Sequence, residues 1–166
     1  MDITIRSMQP EDWPSVSSIY RQGICSGIST FETSLPEWEE WDTGHRETCR
    51  FVAVSPDNVV IGWAVLSQIS KRETYRGVAE VSIYIHEKYR GQGVGKALLS
   101  KLIESSENDE IWTLQAGIFA ENEASINLHL ACGFRFVGRR ERIARLNESW
   151  HDTVLLERRS LITGRN

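Results

Sequence analysis

The chain has 166 residues, enough for one domain whose core needs neither a metal nor a disulfide to hold it. Hydrophobic residues make up 40% and charged residues 25%, and 19 Lys plus Arg against 23 Asp plus Glu leave a formal net charge of −4. That acidic balance speaks against nucleic acid as the main partner, because neutralising phosphates calls for a basic excess.

In chain order, Ile3 and Ile5 alternate with polar neighbours and predict a half-buried strand. Pro10, Glu11 and Asp12 carry the marks of a helix start: proline suits the first turn, and acids there complement the helix dipole. Trp13, Val16, Ile19 and Tyr20 recur behind them at helical spacing, Gly23 and Gly27 interrupt the pattern, and 27–35 reads as a loop. A second helix is expected from Pro36 to Arg50, with Trp38 and Trp41 packing on one side. Residues 51–54 and 59–66 predict two strands joined by Ser55-Pro56-Asp57-Asn58, whose composition is that of a tight turn.

A polar excursion over 67–77 leads into a predicted strand at 78–85. Leu98, Leu99, Leu102 and Ile103 then form one apolar stripe of a helix starting near Gly93. Residues 111–118 predict a short strand. Residues 122–131 predict a helix capped by Asn122 and stopped by Gly133, with Ala124, Leu128 and Ala131 as its buried stripe and His129 off it. Two strands, 134–143 and 150–156, close the chain. No repeat or linker divides the sequence, so 1–166 is expected to be a single domain. The order predicts an α/β (α+β) fold: a mixed, mostly antiparallel sheet of about seven strands with about four helices on its faces.

Cys25, Cys49 and Cys132 are too few and too scattered for a disulfide framework, and their odd number suits a reducing compartment. The N-terminal residues lack the basic start and apolar run of a secretory signal, and nowhere do about 18 apolar residues run together. A cytoplasmic protein with no membrane partner is expected. His45, His86 and His151 lack metal-ligand spacing, so no metal is expected either.

The segment from Val81 to Leu99 carries the strongest chemical signal: strand, glycine-rich turn, amphipathic helix. Gly91, Gly93 and Gly95 permit backbone conformations and close approaches that a Cβ would block. Successive N–H groups in such a turn, followed by a helix N-terminus, make an anion site, and Arg90 and Lys96 add positive charge. A pyrophosphate would take several charge-assisted bonds there, each worth about 1.5–3 kcal/mol. The P-loop is excluded by Arg90 and Ala97, and the dinucleotide fingerprint by the Gly-x-Gly-x-Gly spacing in mid-chain.

Arg90-Gly91-Gln92-Gly93-Val94-Gly95 resembles the acetyl-CoA loop of the GNAT N-acetyltransferase superfamily, and Asn122-Glu123-Ala124-Ser125 with Ala131-Cys132-Gly133-Phe134 resembles its next block. The resemblance covers nearly the whole chain. It implies acetyl-CoA as co-substrate and a strand splayed from its neighbour before the loop. It also implies Ile83, Tyr84 and Ile85 along the acetyl end, residues 91–96 on the pyrophosphate and Asn122 near the pantetheine arm. A homodimer is expected on the same ground.

Where most members of the superfamily have tyrosine, four residues before the Gly-Phe pair, this chain has His129. That departure is similar to the phosphinothricin and methionine sulfone/sulfoximine N-acetyltransferases. The chain also resembles them at Phe31-Glu32-Thr33, at Arg72-Glu73-Thr74-Tyr75, at Glu80-x-Ser82-x-Tyr84 and at Trp150-His151-Asp152. The resemblance implies a small amino-acid substrate bound by Arg72, Glu73, Thr74 and Tyr75, with Phe31 and Glu32 on the opposite wall. His129 would move a proton to the leaving thiolate or from the amine.

Glu80 is also singled out by physics. It stands mid-strand on the polar face with Val78, Ser82 and Tyr84, against the usual preference of strands. An ammonium must lose a proton before it can attack a thioester, and a partly buried carboxylate can take it. The plainer reading of Glu80 is a rim residue paired with Arg72 or Arg76. Cys132 ends a helix with no recognisable base beside it and reads as packing, which favours direct transfer in a ternary complex. Two rivals stay open: acetylation of a peptide or protein N-terminus or a polyamine, and a non-catalytic acetyl-CoA sensor. The basic stretch from Lys71 to Arg76 speaks against a polyamine.

Overall fold

A computed structural model describes residues 1–166. Its strands are β1 (Thr4–Ser7), β2 (Phe51–Val54), β3 (Val60–Gln68), β4 (Val78–Ile85), β5 (Thr113–Phe119), β6 (Arg135–Leu146) and β7 (Ser149–Arg159). The helices are α1 (Trp13–Ser26), α2 (Trp38–Thr43), α3 (Val94–Asn108) and α4 (Glu123–Ala131). One seven-stranded sheet runs in the order β1-β2-β3-β4-β5-β7-β6. Only the β4–β5 pair is parallel.

Both faces of the sheet are covered. On one, Leu98, Leu99 and Leu102 of α3 pack with Ile61, Ala79, Val81 and Leu114. On the other, Val16 and Ile19 of α1 and Trp41 of α2 pack with Val52, Trp63 and Val65. This double burial explains why β2 and most of β3 are apolar without alternation.

Three expectations need correction. Gly23 does not break α1: it lies inside the helix, buried, where an added Cβ would stand 2.5 Å from the Tyr84 ring. Its role is close packing of α1 on β4, and the helix ends at Gly27 with φ +74°. The second helix is only six residues long. Buried Arg50 competes for the following segment, taking the Asp42 carboxylate at 2.5 Å and the carbonyls of Asp42, His45 and Arg46 at 2.7–3.1 Å. Third, Ala124 and Ala131 of α4 are exposed, and the buried residue is His129 at 2%. Small alanines gain little from burial, and the helix turns its imidazole toward Phe134 instead, ring centroids 5.0 Å apart and nearly perpendicular.

The pairing of β4 with β5 covers only Val78↔Thr113, Ala79↔Leu114 and Glu80↔Gln115. Beyond that rung the two strands separate, leaving residues 81–85 of β4 and 116–119 of β5 without a ladder between them. This gap positions the cavity between the sheet's two faces.

Candidate active site

The gap opens into a cavity of about 850 Å³ that reaches both faces of the sheet. On the α3 side, Gly91 and Gly93 take φ +72° and +85°, and nothing lies within 4 Å of a Cβ built on either. Gly93 is the N-cap of the 15-residue helix α3, so free amide groups and the positive end of the dipole converge on open space. Arg90, Val94, Gly95 and Lys96 line the same end. Gln92 does not; its side chain turns back to donate to the Lys88 carbonyl at 3.0 Å. A pyrophosphate fits this cradle, and an extended arm fits beside the unpaired edge of β4, where Ile83, Tyr84 and Ile85 all line the cavity.

Alternation along β4 divides its side chains. Ile83 and Ile85 pack into the α3-side core, while Tyr84 joins the α1-side aromatic cluster, stacked on Trp63 at 4.7 Å and beside Tyr20 at 5.0 Å. The Tyr84 hydroxyl donates to the Ser29 carbonyl at 3.4 Å, and burial pushes this phenol well above its ordinary range.

Glu80 lies at the apex of the gap, on the α1 side. Its Oε2 accepts a hydrogen bond from Gln115 Nε2 at 3.0 Å, and it forms no ion pair with Arg72 or Arg76. Arg76 is paired with Glu73 and sits over the Trp112 ring. Across the cavity, Phe31 packs on Phe119 at 4.4 Å, and Glu32 lines the wall beside it.

His129 lines the cavity from α4. Its Nδ1 lies 2.7 Å from the Ser125 carbonyl. A carbonyl only accepts, so Nδ1 carries the proton and Nε2 keeps its lone pair. Nε2 is buried with no hydrogen-bond partner, and burial lowers the pKa below the ordinary imidazole value. Asn122 caps the same helix, its side-chain oxygen accepting from the Ser125 N–H at 3.2 Å, and also lines the cavity.

The structure does not bring every expected residue together. Arg72, Glu73, Thr74 and Tyr75 form an exposed one-turn segment outside this cavity, with the Arg72 guanidinium over the Tyr75 ring at 5.9 Å. The reason is topological: Glu73–Tyr75 precedes the N-terminal end of β4, which is paired with β5, whereas the gap opens along the other half of the strand. Conversely, Trp41, His45, Trp63 and Arg140 line the cavity although the sequence does not single them out as site residues. The tryptophans look like core in a periodicity, and they are core as well. Nothing in the sequence distinguishes Arg140 from its charged neighbours. Burial also raises the pKa of the Cys132 thiol, which disfavours a thiolate nucleophile there.

Residues 10–134 match the model of the acetyltransferase (GNAT) family. The chain is similar to a phosphinothricin N-acetyltransferase of Alcaligenes faecalis, 32% identical over 164 residues covering 93% of this chain and 81% of that protein. It is similar, at 28% identity, to an L-methionine sulfoximine/L-methionine sulfone acetyltransferase of Pseudomonas aeruginosa, with 95% of this chain and 94% of that one covered. The structure matches a phosphinothricin acetyltransferase from Sinorhizobium meliloti in complex with AcCoA, with TM-score 0.90 and 30% identity over 100% of this chain and 92% of that chain.

Proposed function

The chain belongs to the acetyltransferase (GNAT) family, and on that premise we propose that it acetylates the α-amino group of a small amino acid or analogue. Phosphinothricin, methionine sulfoximine and methionine sulfone are the leading acceptors, the substrates named for its relatives. Acetyl-CoA is the co-substrate, as for the family. When bound, it supplies an acetyl thioester whose carbonyl carbon an amine can attack.

One observation carries this reading: Glu80 and His129 line a single cavity from opposite sides of the gap between β4 and β5. On the α1 side, Glu80 takes a proton from the acceptor's ammonium and leaves a neutral nucleophile. On the α4 side, neutral His129 takes the second amine proton at Nε2 as the C–N bond forms, then delivers it to the departing thiolate. Glycines 91 and 93, with the N-terminus of α3, Arg90 and Lys96, hold the pyrophosphate. Asn122 and the free edge of β4 hold the arm, and the backbone N–H groups of that edge are the donors available to the thioester oxygen. Phe31 and Glu32 form the far wall of the acceptor site. Transfer is direct, in a ternary complex.

Cys132 does not line the cavity, and burial raises its thiol pKa, both of which disfavour it as an acyl carrier. Three free cysteines agree with a cytoplasmic location. Exposed Phe136, Val137, Ile143 and Trp150 on the β6–β7 hairpin offer apolar surface for a homodimer.

The test is thiol release from acetyl-CoA against phosphinothricin, methionine sulfone, methionine sulfoximine, spermidine and a short peptide. Preference for the first three is expected. Turnover only with peptide or polyamine would remove the substrate claim, and tight acetyl-CoA binding without turnover would favour a sensor.

A further inference from the structure

A zwitterionic amino acid needs two opposite anchors, and Glu80 and Glu32 supply only the negative one on the acceptor side. Charged residues lining the cavity are Glu32, Glu80, Arg90, Lys96 and Arg140. Arg90 and Lys96 flank the glycine turn on the far side of the sheet, which leaves Arg140 as the acceptor-side cation.

The strand registers fix which face Arg140 occupies. Gln115 and Phe119 are four residues apart on β5 and so share a face, and Gln115 bonds Glu80 there. Phe119 is paired with Thr153 on β7, and Thr153 with Arg140 on β6. Directly opposed residues project to the same side of a sheet. Glu80, Gln115, Phe119, Thr153 and Arg140 therefore stand on one face, with Thr153 and Phe119 lining the cavity between the two charges. A register shift lies between Arg140 and Ala144, directly after this position, the kind of irregularity that re-aims a side chain.

Arg140 is also unengaged. Arg135 pairs with Glu157, Arg139 with Asp152, and Arg158 with Glu107, while Arg142 lies over Trp150 and Arg159 is spent on carbonyls. Arg140 has no ion pair or side-chain hydrogen bond within the chain. The nearby Arg145 is likewise free but does not line the cavity.

We infer that Arg140 is a specificity residue that binds an oxyanion of the acceptor, opposite the ammonium held at Glu80. The inference rests on the proposed amino-acid acetyltransferase activity. A guanidinium presents a planar fork that matches a carboxylate or a phosphinate with two parallel hydrogen bonds. It favours acceptors carrying such a group over simple amines and polyamines.

The test compares wild type, Arg140→Gln, Arg140→Lys and Arg145→Gln on three acceptors: phosphinothricin, methionine sulfone, and the amine left by removing the carboxylate of methionine sulfone. Losing a hydrogen-bonded charge partner is worth on the order of 10- to 100-fold. Arg140→Gln is expected to raise the acceptor KM by that factor, with kcat and the acetyl-CoA KM within about threefold, Arg140→Lys intermediate and Arg145→Gln like wild type. A rise for both amino acids but not the decarboxylated amine assigns the α-carboxylate. A rise for phosphinothricin alone assigns its phosphinate. An unchanged KM throughout, or an equal rise for the decarboxylated amine, overturns the inference. If wild type turns over none of the three, the functional reading fails, and calorimetry with phosphinothricin decides this one separately. Binding lost in Arg140→Gln upholds it; equal binding, or none to wild type, overturns it.

Discussion

Gln115 donates to the Glu80 carboxylate at 3.0 Å on the last rung that β4 and β5 share. The bond therefore ties the apex of the gap together and orients the carboxylate from one side. Without that bond the carboxylate loses its fixed orientation, so Gln115→Ala should lower kcat/KM by on the order of tenfold. Glu80→Gln, which removes the proposed proton acceptor, should cost roughly 10²–10⁴ in turnover. Steady-state rates on folded variants check the order. A Gln115→Ala defect equal to that of Glu80→Gln would contradict a supporting role.

His129 should be replaceable by nothing that lacks a basic lone pair. With Nδ1 tied to the Ser125 carbonyl, only Nε2 can accept a proton, so His129→Ala and His129→Gln should both lose roughly 10²–10⁴ in turnover. The acetyl-CoA KM should change far less. Near-wild-type rates in both variants would remove His129 from the reaction.

Acid should destabilise the protein in two steps. Burial lowers the pKa of both His129 and His45 in the folded state. Between about pH 6.5 and those lowered values the unfolded chain binds more protons, so stability falls as pH falls. Asp12 and Asp109 are held below the ordinary carboxylate value, Asp12 chiefly by its hydrogen bond from Arg6 and Asp109 chiefly by that from Thr48. Their contribution is present at neutral pH and is lost below about pH 4. Melting temperature against pH reads both steps, and His129→Gln should flatten only the first.

Asn122 caps α4 and has a proposed second role at the arm of acetyl-CoA, and substitution can separate the two. As an N-cap it is worth about 1 kcal/mol, or a drop of about 2–4 °C in Tm for Asn122→Ala. Asn122→Ser keeps a capping oxygen and should keep the Tm. If Asn122 also touches the arm of acetyl-CoA, Asn122→Ser will still raise the acetyl-CoA KM. An unchanged KM would confine Asn122 to capping.

Gly93→Ala tests the cradle. The left-handed φ of +85° should cost about 1–2 kcal/mol with alanine, while open space around the position spares the packing. The acetyl-CoA KM should rise at least tenfold and the acceptor KM should hold.

Much of this site is legible in the amino-acid sequence, and the reasons are local. The strand expected over 78–85 matches β4 at both ends, because alternation and the glycine turn bound it. Asn122 and Gly133 cap and terminate α4 as their chemistry dictates. What local pattern does not carry is the contribution of distant elements. His129 falls off the apolar stripe of its helix, yet the burial of nine residues depends on what lies beneath them, here Phe134 and the cavity. Arg72 precedes Glu80 closely in sequence, but it lies before the paired end of β4, and the gap opens beyond Glu80. Arg140 reaches the Glu80 face of the cavity only through the β5–β7–β6 registers, which join residues far apart in the chain. The helix expected over 36–50 is cut short by Arg50, whose burial against Trp41 is a tertiary event.

Acetyl transfer to an amino acid's own α-nitrogen is the central claim. The most direct measurement incubates the protein with acetyl-CoA and methionine sulfone and identifies the product by NMR and mass, alongside thiol release. The expected result is a single product acetylated on the α-nitrogen, one thiol released per amide formed, and loss of both in Glu80→Gln. Thiol release without that amide, or no release with any amino acid, would contradict it.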